Sequence, residues 1–592
     1  MPNAPSNVAK ESRGNAAVLV LADSRLCEWM QLPETMFAAL SHFGVPYRVH
    51  DLAEKGLERA VLDNCSALII GQENLGISID SGSRAMLLKA VEDGLGLVNF
   101  DYNLRNYDEP FGRAVGVRGS GQQGRFFIDS VDRLGIATTD HFLTYTQENG
   151  AAHALHMPIP GVRTRLADER AVLAATGDGS PAVVAGTFGK GRVVQWLVSP
   201  RLWLLRFLGH AHGVDDLFWK GIVWVARKPF VMLAMPPYVR FRFDDCNGLY
   251  RRPEDLLFVD VLNEHGHKPN LCVCMNALEP EGWGRLKALY DAGRVEVAPH
   301  TWKGGVSLYY GDADGEYSDE VFRELMRSTR AILDRHGITP SKIMSDHEHE
   351  FSARVLPYLG ELGIEYKMNI MLAGERWPGP HTDWRPAPYG SMCYALDYTP
   401  GPHPLFVVFN HYIGFDYARA YIGQDSFLLN RDGGYGDCMW DFLNGLTSRA
   451  LGHNDVEAMA RRLARHTRLG LNSLFFGGSI SHSHFTESLT PQEWRALLLR
   501  YEALTDRFEK INVGYDDIAA YARSKFHTHV AYASWHSVRR ELEVELDGEA
   551  KVPLLLSVFE DARDTVERRY EPIEAFSGQR TVRLSPERGG TR

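Results

Sequence analysis

The sequence predicts an α/β multidomain protein with three parts: a doubly wound sheet domain over residues 16–228, a (β/α)7-type barrel over 230–525 and a small β-rich module over 530–592. Three observations predict it. Short apolar runs alternate with helix-period stretches through most of the chain. In the middle segment, histidines and acids collect where those runs end. The last stretch switches to strand-type alternation around an Asp-Gly-Glu turn. At 592 residues the chain also exceeds what one hydrophobic core serves.

The elements follow in order. AAVLVLAD ends at Asp23 and reads as a first buried parallel strand. PETMFAALSHFGV is amphipathic and closes on Gly44, a helix stop. YRVHDL, CSALIIG and LGLVNFD read as further strands, with DSGSRAMLLKAVEDG as a helix between them. AVVAGTFGKGRVVQWLV reads as a hairpin about Gly189-Lys190-Gly191, and GVDDLFWKGIVWVARKP as a closing helix ended by Pro229. In element order, hairpin and final helix this segment resembles the flavodoxin-like, class I glutamine-amidotransferase-like fold. Catalytic members carry a cysteine nucleophile on a glycine-flanked elbow. Cys65 lies at the start of a strand instead, so a non-catalytic domain is expected, suited to homo-oligomer contact or to shaping a neighbouring cleft.

In the middle segment YVRFRFDD, KPNLCVCMN, RVEVAPH, KIMSDH, IEYKMNI, PLFVVFNH and LNSLFFGGSISHSH read as strands. RPEDLLFVDVLNEHG, GWGRLKALYDAG, SDEVFRELMRSTRAILDRHG, FSARVLPYLGELG, NDVEAMARRLARHTRLG and TPQEWRALLLRYEALTDRFEK read as helices between or after them. That alternation predicts the barrel, with function carried at the C-terminal strand ends.

Composition narrows the partners. Net charge is −11 and no basic stripe is present, which argues against nucleic acid. The seven cysteines are scattered, with no CxxC pair, and read as reduced. Neither a signal-peptide pattern nor an apolar run long enough for a bilayer is visible. A cytoplasmic protein with no membrane or nucleic-acid partner is expected.

The chemistry-bearing residues sit at the strand ends: Asp244-Asp245, then His300-Thr301-Trp302, then Asp346-His347-Glu348-His349-Glu350. His381-Thr382-Asp383-Trp384, Asn410-His411-Tyr412 and Ser481-His482-Ser483-His484 follow. Imidazole and carboxylate together suit a divalent metal, probed first as Zn, with Ni, Co, Mn or Fe as alternatives. In an extended strand the side chains of Asp244 and Asp245 point apart, so the two need not share a role.

RFDDCNG and PHTW resemble the first and second motifs of the polysaccharide deacetylase (NodB-like) family. The resemblance implies Asp244 as catalytic base, with Asp245 and His300 as metal ligands. It implies a general-acid histidine from the last strand, where SISHSHF offers His482 and His484, with His484 favoured. The family's second motif carries another histidine four residues after the first, and here that position is Gly304. SDHEHEFS stands where the family has an Arg-Pro-containing turn, so His347 or His349 is expected to complete the metal site. Trp302, Trp384, His411 and Tyr412, with Phe485, are candidates for substrate contact.

The implied activity is hydrolysis of an N-acyl group, acetyl above all, on a carbohydrate or small amide. Two other readings stay open. One is a glycoside hydrolase using pairs drawn from Asp244, Asp346, Glu348, Glu350 and Asp383. The other is a non-catalytic carbohydrate-binding protein.

Overall fold

The computed structural model describes residues 11–119, 126–204, 206–210, 212–246, 256–303, 306–311, 316–344, 352–370, 395–397, 406–410, 456–481, 489–562 and 565–585, with backbone alone at some, Asp245 among them. The chain divides into two compact units, one of Met1–Met235, Tyr389–Cys393 and Ser524–Arg592, the other of Pro236–Pro388 and Tyr394–Arg523. No helix among the described residues is long and apolar enough to cross a membrane.

The first unit opens with β1 (Val18–Ala22), β2 (Tyr47–Asp51), β3 (Ala67–Ile70), β4 (Gly96–Asn99) and β5 (Val117–Gly119). β6 (Phe127–Ile136), β7 (Ala152–Leu166), β8 (Ala171–Thr176), β9 (Pro181–Phe188) and β10 (Gly191–Trp196) follow. They form one sheet in the order β2-β1-β3-β4-β10-β9-β8-β6-β7-β5. The β2-β1-β3-β4-β10 half is parallel, as the alternating sequence pattern predicts. The other half is antiparallel and begins at the expected hairpin, where Phe188 faces Gly191 across a turn at Gly189-Lys190.

Every residue of β1 is buried, which requires cover on both faces. Leu87 and Val91 of the helix Ser81–Glu92 pack with Leu19, Leu21 and Leu68. Phe218 of the helix Asp215–Val225 packs on Phe43 and Phe100. Gly44 ends the helix Ala38–Phe43 at φ +69, and a Cβ there would lie 2.1 Å from the Leu233 carbonyl oxygen. Both constraints admit glycine alone. β11 (Phe230–Met232) closes the segment.

The second unit carries β12 (Tyr238–Cys246), β13 (Asn270–Cys274), β14 (Glu296–Lys303), β15 (Val306–Ser307) and β16 (Ile343–Met344). β17 (Tyr366–Ile370), β18 (Ala395–Asp397), β19 (Phe406–Asn410), β20 (Gly477–Ser481) and β21 (Ile511–Asn512) complete it. One sheet runs β15-β14-β13-β12-β20, with β21 beside β12, and a second runs β16-β17-β19-β18. The seven expected strands are β12, β13, β14, β16, β17, β19 and β20, and each pairing between them is parallel. Ser341 N–H donates to the Val297 carbonyl at 2.7 Å, which sets β16 beside β14 and links the two sheets. The last strand is shorter than expected. Leu471 and Asn472 finish the helix Val456–Asn472, and β20 begins only at Gly477.

Phe241, Phe243, Leu271, Val273 and Val297 point to one apolar core, which holds Val261 and Leu262 of the helix Leu257–Glu264 and Leu286 of Pro280–Asp291. Leu463 of Val456–Asn472 and Leu498 of Pro491–Leu504 join the same core. The last of these helices starts on a capping box, Thr490 with Glu493.

β22 (Thr528–His536), β23 (Glu541–Ala550), β24 (Leu554–Ala562), β25 (Thr565–Ile573) and β26 (Phe576–Leu584) form the C-terminal segment. β22-β23-β26 is one sheet and β11-β24-β25 another. The segment is β-rich as its alternation predicts. It groups with the first unit, where Val231 of β11 faces Val558 of β24.

Candidate active site at the ends of β12 and β14

β12 reads Tyr-Val-Arg-Phe-Arg-Phe-Asp-Asp-Cys. Successive side chains of a strand face opposite ways. Phe241 and Phe243 enter the helix-side core, so Arg240 and Arg242 share the other face, and Asp244 joins it through its bond to Arg242. These three are 3%, 2% and 3% exposed. A single charge cannot be buried without compensation, so this face has to be built from paired groups.

The cross-strand register places them in rows. Arg242 faces Asn270, and Asn270 faces Glu296. One step on, Cys272 faces Ala298. The β12–β13 register then slips between Phe243 and Cys246, a bulge that contains Asp244 and Asp245. The β13–β14 register slips between Val273 and Cys274, with His300 at the slip. Bulges re-aim side chains at barrel rims and beside active sites. Strict alternation therefore cannot be applied across Asp244-Asp245, which corrects the expectation of an uninterrupted strand there.

The charges pair as the burial demands. Arg242 Nη2 donates to Asp244 Oδ2 at 2.5 Å. Burial alone would lower the Arg242 guanidinium, but the attraction of Asp244 holds it above its ordinary value. Toward the N-terminal end of the strands, Arg240 Nη2 lies 2.6 Å from Glu296 Oε2. Glu296 also accepts from the Tyr515 N–H at 3.3 Å and from Asn270 Nδ2 at 3.4 Å. Asp516 accepts from the N–H groups of Lys342 and Ile343 at 2.9 and 3.1 Å, and burial pushes its carboxyl up to about 6. Tyr515 is fully buried near Arg242, Arg240, Cys272 and Asp244, and burial raises its phenol.

Of the residues singled out in the sequence, Asp244 and His300 are described with their side chains. Both are buried at strand ends, on β12 and β14 with β13 between them. Asp245 is described by its backbone, in the bulge. Trp302 is half-buried and packs against two apolar clusters. His347, His349, Trp384, His411, Tyr412, His482 and His484 lie outside the described residues, as do Asp346, Glu348, Glu350, Asp383 and Phe485. The strands leading to His347 and His349, to His411 and Tyr412, and to His482 and His484 are placed as β16, β19 and β20. Ser481 of β20 faces Phe243, so the end of β20 is level with Asp244. Asn410 of β19 faces Ile370 of β17.

The imidazole of His300 and the carboxylate of Asp244, each buried at a strand end, are donors of the kind that Zn, Fe, Ni, Co and Mn accept. Among the described residues no three such side chains gather, and the expected completing ligands fall outside them. A cavity of about 410 Å³ lies in the first unit between β6, β7 and the β8–β9 turn, lined by Asp129, Arg163 and Asp178, and it contains none of these residues.

Sequence reasoning misses Arg242, because VRFRF reads as an apolar run. Its signal is present in the two-residue spacing of Arg240, Arg242 and Asp244. Tyr515 and Asp516 open a helix far along the chain and carry no local motif.

The fold and strand-end site together define a mixed α/β protein whose second unit is dominated by parallel strand pairing. No protein-family model matches the chain, and no curated protein matches its sequence. Among solved structures the chain is similar to Agd3, described as a novel carbohydrate deacetylase, with TM-score 0.59, 10% identity and coverage of 96% of this chain and 98% of that one. It also matches a polysaccharide deacetylase from Mycobacterium smegmatis at TM-score 0.33 and 13% identity, over 50% of this chain and 94% of that one. A β-galactosidase from Bacillus circulans sp. alkalophilus matches at TM-score 0.26 and 15% identity, over 36% and 31%. The first of these shows that the chain shares the fold of Agd3 over nearly its whole length.

Proposed function

We propose that the second unit is a metal-dependent hydrolase that removes an N-acyl group, most simply acetyl, from a carbohydrate substrate. The observation that carries this reading is the site itself: Asp244 and His300, buried at adjacent bulges on the strand ends of a fold shared with a carbohydrate deacetylase.

Asp245 and His300, completed by His347 or His349, would hold the ion, which when bound supplies Lewis acidity toward water and the acyl carbonyl. Asp244 takes the proton of the attacking water. His484, or His482 beside it, returns a proton to the amine nitrogen as the C–N bond breaks. Water and amide thus give a carboxylic acid and a free amine. Trp302, Trp384, His411 and Tyr412 are assigned to substrate contact.

The first unit is read as a non-catalytic flavodoxin-like domain of the amidotransferase type. Its parallel strand order supports the reading, as does Cys65, whose thiol is buried and pushed up to about 11 by that burial. A nucleophilic cysteine needs the opposite shift.

Product analysis tests the activity. The protein, incubated with zinc and N-acetylglucosamine oligomers, should release acetate without new reducing ends. New reducing ends without acetate would replace this reading with a glycosidase. Neither product across a panel of N-acetylated hexosamine oligomers would leave only carbohydrate binding.

A further inference from the structure

We infer that Arg242 is the positioning residue of this site: it holds one oxygen of the Asp244 carboxylate so that the other faces the attacking water. The inference rests on the reading of Asp244 as the base.

The geometry is specific. Arg242 and Asp244 stand two residues apart on one strand, their side chains meet in a hydrogen bond, and both are removed from solvent. Arg242 Nη2 grips Asp244 Oδ2 at 2.5 Å. Along the sheet Arg242 is in register with Asn270 on β13 and Ile480 on β20, so its backbone is held on both sides. Directly beyond it the strand bulges. A bulge frees the backbone from regular alternation, so a side chain in it needs another restraint to keep one orientation. A permanently charged guanidinium from the regular part of the same strand supplies one, through its Nη2 on Oδ2. The backbone between the two residues is short, so the restraint is built into β12 and needs no loop to close. Proton transfer to a carboxylate depends on the placement of its accepting oxygen, and this is what the grip sets.

A purely structural ion pair would require only a cation at position 242. A positioning residue requires the guanidinium's rigid, directed Nη2–H, since an ammonium on a flexible stem is a point charge without planar direction. The two roles separate in steady-state hydrolysis of 4-methylumbelliferyl acetate by zinc-reconstituted protein. Arg242→Met is expected to lower kcat by about 10²-fold with KM and zinc content unchanged. Arg242→Lys should keep the fold and the charge and recover only part of that loss. If Arg242→Met does not fold, Arg242→Lys carries the test alone.

Wild-type kcat in Arg242→Lys, or in a folded Arg242→Met, overturns the inference. A loss confined to KM also overturns it. Asp244→Asn with the wild-type rate overturns the underlying reading of Asp244 instead.

Discussion

Asp244 is both buried and acidic, and those properties conflict unless a partner is fixed nearby. Arg242 is that partner. Breaking a buried pair on one side costs about 3–5 kcal/mol, because the remaining charge stays buried without its partner. Asp244→Ala should therefore lower stability by about that much as well as abolish hydrolysis. Asp244→Asn keeps a hydrogen-bond acceptor and should lose activity with a smaller loss of stability. Thermal melts of the two variants, read beside their acetate release, check this; equal stability losses would contradict it.

Asp516 gives a pH prediction at the same scale. Its folded value, about 6, lies above the ordinary 3.8. An acid raised in this way contributes stability that is fully present below its unfolded value and is lost as the pH rises through the folded one. The melting temperature of the wild type minus that of Asp516→Asn should fall between about pH 4 and pH 7. The effect spans at most a few kcal/mol, because a tenfold change in proton affinity is worth about 1.4 kcal/mol. A difference that grows over that window would contradict the burial argument.

At the scale of elements, the helix Pro491–Leu504 backs the strand that carries the site. Trp494, Leu497, Leu498 and Tyr501 pack in the same core as Phe241 and Phe243. Its capping box predicts that Thr490→Ala costs about 1 kcal/mol. Leu498→Ala, at a fully buried position, should cost about 2–5 kcal/mol. Denaturant titration checks both. The strands and helices of this unit are legible in the sequence because their periods are strong: the Val-Arg-Phe-Arg-Phe run and the Leu-Cys-Val-Cys run each announce a strand. Asp244 and His300 are legible as residues placed where such runs end. The two bulges are not, since a single inserted residue leaves no pattern in one sequence. Nor is the start of β20, because Leu474, Phe475 and Phe476 are apolar enough to read as strand, while the backbone leaves the helix through Leu474 at φ +53.

At the scale of the whole molecule, both ends of the chain build one unit. β24 supplies the partner of β11, and Leu542, Val544, Leu546, Leu554 and Leu556 are buried within it. Deleting residues 528–592 should therefore destabilise the first unit, visible as new proteolytic cuts within residues 11–235. Unchanged protection there would show that the C-terminal strands are dispensable. Alternation alone assigns those strands to a separate module, because pairing between distant segments leaves no local trace.

The metal site is tested by elemental mass spectrometry of the purified protein after incubation with zinc, wild type beside His300→Ala. About one zinc per chain is expected in the wild type, and its loss in the variant. A wild type that binds no zinc, nickel, cobalt, manganese or iron, or a His300→Ala protein that keeps the full amount, would contradict a metal held by His300.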